Sequence, residues 1–187
     1  MSAKRQQLVD TAIDLFNAHG FHAVGIDRIA QQAGVSKKTM YSHFRSKEEL
    51  ILAALRHHDG LFRNGFMKAV QAAGRTPRER LLAIFDVAQA WFSEHTFYGC
   101  MFINAVGEYA ERDTPIREVC RQFKTLMRGY IEQLAREAGL QDPGSVADTL
   151  ALLLEGAIVT AQVSDRPDAA ATAKRAARVL IDTASPA

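Results

Sequence analysis

Between Ile26 and Phe44 the chain reads IDRIAQQAGVSKKTMYSHF. Two short helical patterns flank Gly34-Val35-Ser36, and this arrangement constrains the fold more than any other stretch. In the first pattern Ile29, Ala30 and Ala33 form one apolar stripe. Gly34 permits the left-handed backbone of a tight turn, and Val35 plugs that turn. In the second pattern, an advance of about 100° per residue brings Met40 and Phe44 together. Lys38, Thr39 and Ser42 then point outward, with Lys37 and Tyr41 at one edge and His43 at the other. A helix this short has little stability alone and must be held by neighbours. Held that way, its polar, basic face can enter a DNA major groove, which is the helix-turn-helix pattern.

The charge distribution points the same way. The formal net charge is only +2 over 187 residues, so the molecule is no polycation. Yet Arg28, Lys37, Lys38, Arg45 and Lys47 fall in a window without Asp or Glu. Such a local excess suits a polyanion. Lysine and hydroxyl groups of the outward face reach base edges, and Tyr41 and His43 at the edges reach phosphates. Lys47, in the first turn of the next helix, lies near backbone N–H donors and makes a local phosphate site with them. With Arg28 and the capping Ser36, the candidate DNA-binding set is Arg28, Ser36, Lys37, Lys38, Thr39, Tyr41, Ser42, His43 and Lys47.

Helical periodicity dominates the rest, and no stretch alternates with period two for long. The predicted helices run from Lys4 to His19 with Gly20 as the stop; through Ala33 with Asp27 as cap; and from Lys37 to Phe44 with Ser36 as cap. Ser46 with Glu49 reads as a capping box that opens a long helix toward Ala73, weakened by Gly60 and Gly65. Pro77 starts a helix reaching about Glu94. Others span Cys100 to Tyr109, Pro115 to near Gly139, Pro143 to about Ser164 and Asp168 to Asp182. Ser185-Pro186-Ala187 reads as a frayed tail. About nine helices and no strand make an all-α chain. It is expected to pair a three-helix DNA-binding domain over 1–46 with a larger effector-binding and dimerisation domain over 47–187.

At this point the first fifty or so residues resemble the DNA-binding domain of the TetR family of transcriptional regulators. The resemblance rests on Ala12 and Phe16, Gly20-Phe21, Ile26, Ile29-Ala30, Ala33-Gly34-Val35-Ser36, Thr39 through Phe44, and Ser46 through Leu50. It implies a homodimer on an operator with two half-sites, with Thr39, Tyr41, His43 and Lys47 holding backbone or base positions. It also implies a C-terminal domain that binds a small ligand and forms the dimer. The position before Thr39 is often small in the family; here Lys38 adds a long cation to the groove face.

The residues support the C-terminal reading in part. Leu150 to Val163 is apolar almost all round, is too short to span a bilayer and contains Glu155. Gly156, Ala157 and Ala161 let a second helix approach closely, and Ala173, Ala176, Ala177 and Leu180 share a face of the last helix. Either these faces are buried within one chain, or two such helices from each of two chains make a four-helix bundle. The dimer is the expectation, with Leu150, Leu153, Gly156, Ala157, Ala161, Ala176 and Leu180 at its interface. The middle of the chain is rich in aromatic and methionine side chains, which serve as core or as pocket lining. The candidate ligand set is Trp91, Phe92, Met101, Phe102, Asn104, Phe123, Met127, Tyr130 and Glu155. Polar members of that region either satisfy a neighbour or face a cavity.

Cys100 follows Gly99 at a predicted helix start. It is either a small buried hydrophobe or a thiol sensing oxidants or electrophiles. His57 and His58 are adjacent and so point apart on a helix, which argues against a shared metal. No nucleophile elbow, P-loop, dinucleotide fingerprint or HExxH motif occurs. The expectation is therefore a cytoplasmic ligand-responsive repressor with no enzymatic activity, cofactor, metal or membrane association. Redox or electrophile sensing through Cys100 is the alternative mode; a DNA-binding enzyme and an effector-free architectural protein are the competing classes.

Overall fold

Ser2 opens the first helix by accepting a hydrogen bond from the Arg5 amide at 3.3 Å, and α1 runs over Ala3–His19. Leu8, Val9, Ala12, Ile13, Leu15 and Phe16 are its buried face. Gly20 ends it at φ 83°, with its N–H on the Phe16 carbonyl. The structure, a computed structural model, describes residues 2–185; of the tail expected to fray, Ser185 is held by its hydroxyl, which donates to the Ile181 carbonyl at 2.8 Å and accepts from Arg78, while Pro186 and Ala187 lie outside the described residues. Among the described residues there are nine helices and no strand, the all-α architecture expected.

Helices α2 (Ile26–Gln32) and α3 (Lys37–His43) pack on α1 and on each other. Gly34 between them has φ 63°, and the Val35 amide donates to the Ala30 carbonyl at 3.0 Å. That bond tightens the turn, and Gly takes its left-handed conformation without the steric cost of a Cβ. The expected cap at Asp27 is wrong by two residues. Extended Gly25 is the N-cap of α2, and Asp27 sits in the first turn with its carboxylate turned to Lys37.

Helix α4 (Lys47–Ala73) runs unbroken through Gly60 and Gly65. Each glycine costs about 1 kcal/mol against alanine. Fully buried Leu50, Ile51, Ala54, Leu55 and Val70 offset this, at about 1.5–3 kcal/mol for each large side chain. At its start Ser46 accepts from the Glu49 amide at 3.2 Å, but the Glu49 carboxylate returns to the Arg45 amide, not to Ser46. The complete capping box is at α5 (Pro77–Phe92), where Thr76 and Glu79 exchange bonds. Amide donors from Arg75 and Thr76 hold the Glu79 carboxyl below its usual range. The sequence Thr76-Pro77-Arg78-Glu79 carries that signal in Glu79 as well as in Pro77.

Helices α6 (Met101–Glu108), α7 (Pro115–Glu137), α8 (Pro143–Ser164) and α9 (Ala169–Thr183) complete the chain. Asp113, Asp142 and Asp165 take positive φ in the connections, which aspartate tolerates better than most residues. Asp142 also caps α8 through the Ser145 amide. Because Asp142 and Pro143 start α8 well before the apolar run, the helix has 22 residues, long and apolar enough to cross a membrane. The expectation that this segment is too short is thus corrected. Its buried face instead packs on α5 and α9, and Asp148 and Glu155 form ion pairs.

The chain divides into two compact units. One comprises the residues to Phe62 with Cys100–Phe123; the other comprises Arg63–Gly99 with the residues from Lys124 onward. In the second, Leu81, Ile84, Phe85 and Ala88 of α5, Leu150, Leu154 and Ile158 of α8, and Ala170, Ala173, Ala177 and Ile181 of α9 are buried. Alanine on α9 lets these backbones approach while the larger side chains fill the space between them.

Candidate nucleic-acid interface

Helix α3 hides very little. Met40 and, just beyond it, Phe44 are fully buried, while Lys37, Lys38, Tyr41 and Ser42 are exposed. Ser36 caps the helix by accepting from the Thr39 amide at 3.0 Å, and its hydroxyl lies 2.9 Å from that of Thr39. The Ser42 hydroxyl donates to the Thr39 carbonyl, which leaves its oxygen free to accept. Thr39 and His43 are half-buried at the edges. The outward face is therefore two lysines, two hydroxyls and a phenol on a helix whose buried residues fix its orientation. Such groups suit base edges and phosphates.

The cations are not equivalent. Lys37 sits 2.8 Å from Asp27, and the hydrogen bond with that carboxylate raises its pKa. Asp27 lies just outside the acid-free window, so the window overstates the free positive charge at Lys37. Arg28 lies 2.8 Å from the His19 ring. Lys47 donates to the His22 carbonyl at 3.3 Å, and partial burial lowers its pKa against the raising effect of Glu108. Lys38 stands exposed on the outward face. Sequence reading missed Asp27, His19, His22 and Glu108. Asp27 was within reach, being ten residues from Lys37 across one turn; nothing in the sequence links Glu108 to residues near position 20.

The candidate ligand residues fall in both units. In the first unit Phe102 stacks on Phe123 with centroids 3.8 Å apart, and His58 lies 5.7 Å from both Phe62 and Phe102. Burial lowers the His58 pKa to about 4, so this imidazole is neutral at physiological pH. Met101 is buried and Asn104 half-buried on the same helix, α6. In the second unit Trp91, Phe92 and Phe97 form an aromatic cluster with centroids 5.0–5.5 Å apart. Met127 is buried, Glu155 pairs with Lys124 at 2.6 Å, and the buried Tyr130 hydroxyl has no hydrogen-bond partner. A cleft of about 500 Å³ in the first unit is lined by residues such as His22, Leu52, Glu108 and Tyr109, and by none of these nine.

The expected dimer residues separate by face. Leu150, Ala157 and Ala161 are buried within the chain, so they offer no surface to a partner, contrary to expectation. The helical repeat turns them toward α9 and α5 together with Leu154 and Ile158. Leu153 and Leu180 are half-buried, whereas Gly156 and Ala176 are exposed. The exposed large apolar side chains of these helices are Leu152, Val159 and Val163 on α8 and Val179 on α9. Cys100 is the buried N-cap residue of α6, and both cysteines are reduced.

Comparison with known proteins agrees with this geometry. Residues 8–54 match the model of bacterial regulatory proteins of the tetR family, and residues 77–177 match the tetracyclin repressor-like C-terminal domain. The HTH-type transcriptional activator FasR of Mycolicibacterium smegmatis is 33% identical over 141 residues, which are 74% of this chain and 62% of that protein. The HTH-type transcriptional repressor NemR of Escherichia coli is 27% identical over 114 residues, 60% of this chain and 57% of that protein. The chain thus spans about three fifths of the length of these two relatives. The crystal structure of SCO4454, a TetR-family transcriptional regulator from Streptomyces coelicolor, superimposes with a TM-score of 0.88 at 28% identity, covering 98% of this chain and 96% of that one. The tight turn at Gly34, the buried Met40 and Phe44 beneath a basic face, and family matches over both halves lead to one assignment: the chain belongs to the TetR family of bacterial regulatory proteins.

Proposed function

We propose that this protein is a cytoplasmic, ligand-responsive transcriptional regulator that binds a palindromic operator as a homodimer. The single observation that supports it most is the α3 surface, a seven-residue helix with Met40 buried and every cationic group outward. Residues 1–46 are its reading head and 47–187 its effector and dimerisation region. Arg28, Ser36, Lys37, Lys38, Thr39, Tyr41, Ser42, His43 and Lys47 supply the DNA contacts. Lys38 has the largest share in sequence choice, because Lys37 and Lys47 already have protein acceptors.

The dimer reading rests on apolar surface left bare. Leu152, Gly156, Val159 and Val163 recur at helical spacing along α8, and Ala176 and Val179 do so on α9. Leu152 and Val163 are 73% and 76% exposed. Side chains of this kind are more stable against a second copy than in water. Leu153 and Leu180 stand at the border of this surface.

The effector reading rests on the aromatic clusters and on Tyr130. A buried hydroxyl without a partner costs about 1–3 kcal/mol, which an acceptor atom of a bound small molecule would remove. In the second unit Trp91, Phe92 and Met127 supply apolar contact, and Glu155 would have to trade its Lys124 partner to take part; in the first unit Met101, Phe102 and Phe123, with the amide of Asn104, form a candidate group of their own. Release of DNA by that molecule makes the protein a repressor. Sensing through Cys100 is the weaker mode, since a reagent would first have to reach a buried thiol.

The test is selection of random-sequence duplexes by the purified chain, with sedimentation in parallel. The expected product is an inverted repeat with half-sites about one helical turn (34–36 Å) apart or a multiple of it. A monomer at working concentration, or no enrichment of any inverted repeat, defeats the proposal.

A further inference from the structure

The α1–α2 turn is held by a side chain from the far end of α6. The Glu108 carboxylate accepts the Phe21 amide at 2.7 Å and the His22 amide at 2.6 Å, one on each oxygen. The Glu108 carbonyl lies 2.9 Å from His22 Nε2, which must donate because a carbonyl only accepts. The His22 carbonyl in turn accepts from Lys47, the first residue of α4. His22 is thus fixed at its amide, ring and carbonyl. The Tyr109 ring lies 4.7 Å from that of His22 and 6.3 Å from that of Phe21. Gly20 leaves room for the contact: a Cβ there would stand 2.9 Å from Glu108 Oε1.

We infer that Glu108 is a positioning residue for DNA reading, a clasp that ties the turn between α1 and α2, and through it the reading head, to α6. This rests on the proposed function. Helix α6 carries the candidate effector residues Met101, Phe102 and Asn104 toward its start and the clasp at its last residue, about 6–10 Å away at full helical rise. A rigid helix of that length carries a displacement at one end to the other. The head must then follow α6, or the clasp must open. Glu108 itself touches no DNA; it orients α2 and α3 through the turn.

The experiment uses the full chain and the duplex that the wild type enriches from random sequence. In Glu108→Gln one carboxylate oxygen becomes an amide nitrogen that faces a backbone N–H. The expected result is about tenfold faster exchange of the Phe21 and His22 amides, and about tenfold weaker binding of the selected duplex. Binding of a scrambled duplex stays within about twofold, because no phosphate contact is lost. Gly20→Ala forces the clasp from the other side and also strains the backbone at φ 83°, so it gives the same pattern with a larger loss. Since both variants break one contact, the double variant loses no more than Gly20→Ala alone. Unchanged amide exchange in both variants overturns the inference. So does faster exchange with selected-duplex binding within twofold of wild type, or losses that multiply in the double variant. Should Glu108→Gln not fold, Glu108→Asp, whose carboxylate is drawn back by one methylene, decides. If the wild type enriches no duplex, the proposed function fails, and unchanged exchange in the variants then shows that no clasp exists either.

Discussion

Helices α3 and α8 leave opposite kinds of surface uncovered. The first is seven residues long, buries Met40 and presents lysine, hydroxyl and phenol groups to water. The second is 22 residues long, packs one face on α5 and α9, and leaves Leu152, Val159 and Val163 bare. Water satisfies the groups on α3 well, so their only gain from a partner is one that carries charge and hydrogen-bond acceptors. Water disfavours the bare face of α8, so any apolar partner stabilises it. The same folding rule, apolar side inward, thus leaves a basic, hydrogen-bonding surface in one region and a bare apolar face in the other.

The largest effect expected from that contrast is in assembly. Leu152→Glu with Val163→Glu places two charges where an apolar contact is proposed, and should weaken self-association by ~4 kcal/mol or more. Sedimentation equilibrium measures it; a dimer of unchanged affinity would assign the bare α8 face to something else. Loss of operator binding should accompany loss of the dimer.

A smaller effect is expected in the first unit as pH falls. Burial holds His58 at a pKa of about 4, below its unfolded value near 6.5. The unfolded chain therefore binds the extra proton first, and stability is lost as pH falls from about 6.5 to 4. The loss is on the order of 2–3 kcal/mol for a shift of this size. Stability against pH, followed by hydrogen exchange in each unit, should show the loss around α4 and α6. It should be absent around the second unit, which holds neither His58 nor the Phe62 and Phe102 rings beside it. His58→Leu should flatten the slope, and a slope that persists would place the titration elsewhere.

Next comes the reading face. Lys38→Ala should reduce the preference for the selected duplex over a scrambled one by about tenfold. Lys37→Ala should do less, because Asp27 already holds that ammonium. Competition titration separates the two, and equal losses on both duplexes for Lys38→Ala would make it a phosphate contact instead.

Smallest are the caps. Ser36→Ala and Thr76→Ala each remove one side-chain bond to a helix N-terminus and should cost about 1 kcal/mol in melting experiments. Only Ser36→Ala should also weaken DNA binding, since it caps the reading helix. Equal DNA losses from both would show that the effect is global destabilisation.

Much of the architecture was legible because its signals are local. Gly20 and Gly34 at positive φ, the Ser36 cap, and Pro143 at the start of α8 are each read from a few adjacent residues. The burial of Met40 and Phe44 follows from helical repeat alone. Errors arose where one local signal competed with another. Asp27 reads as a cap, yet extended Gly25 takes that role and frees the carboxylate for Lys37. Leu150, Ala157 and Ala161 read as a contact surface, but apolar residues line most of α8, and its period cannot say which face meets α9 and which meets a partner.

The sequence by itself determined the helices, their order and the polar face of α3, because hydrogen bonding and side-chain periodicity within a helix act over a few residues. Only the tertiary structure decided that Glu108 meets Phe21 and His22, that His58 is neutral among aromatic rings, and that the bare face of α8 runs through Leu152 and Val163. Those outcomes depend on which distant helices pack together. That packing is the sum of many weak apolar contacts, none of which carries a mark at its own position in the chain.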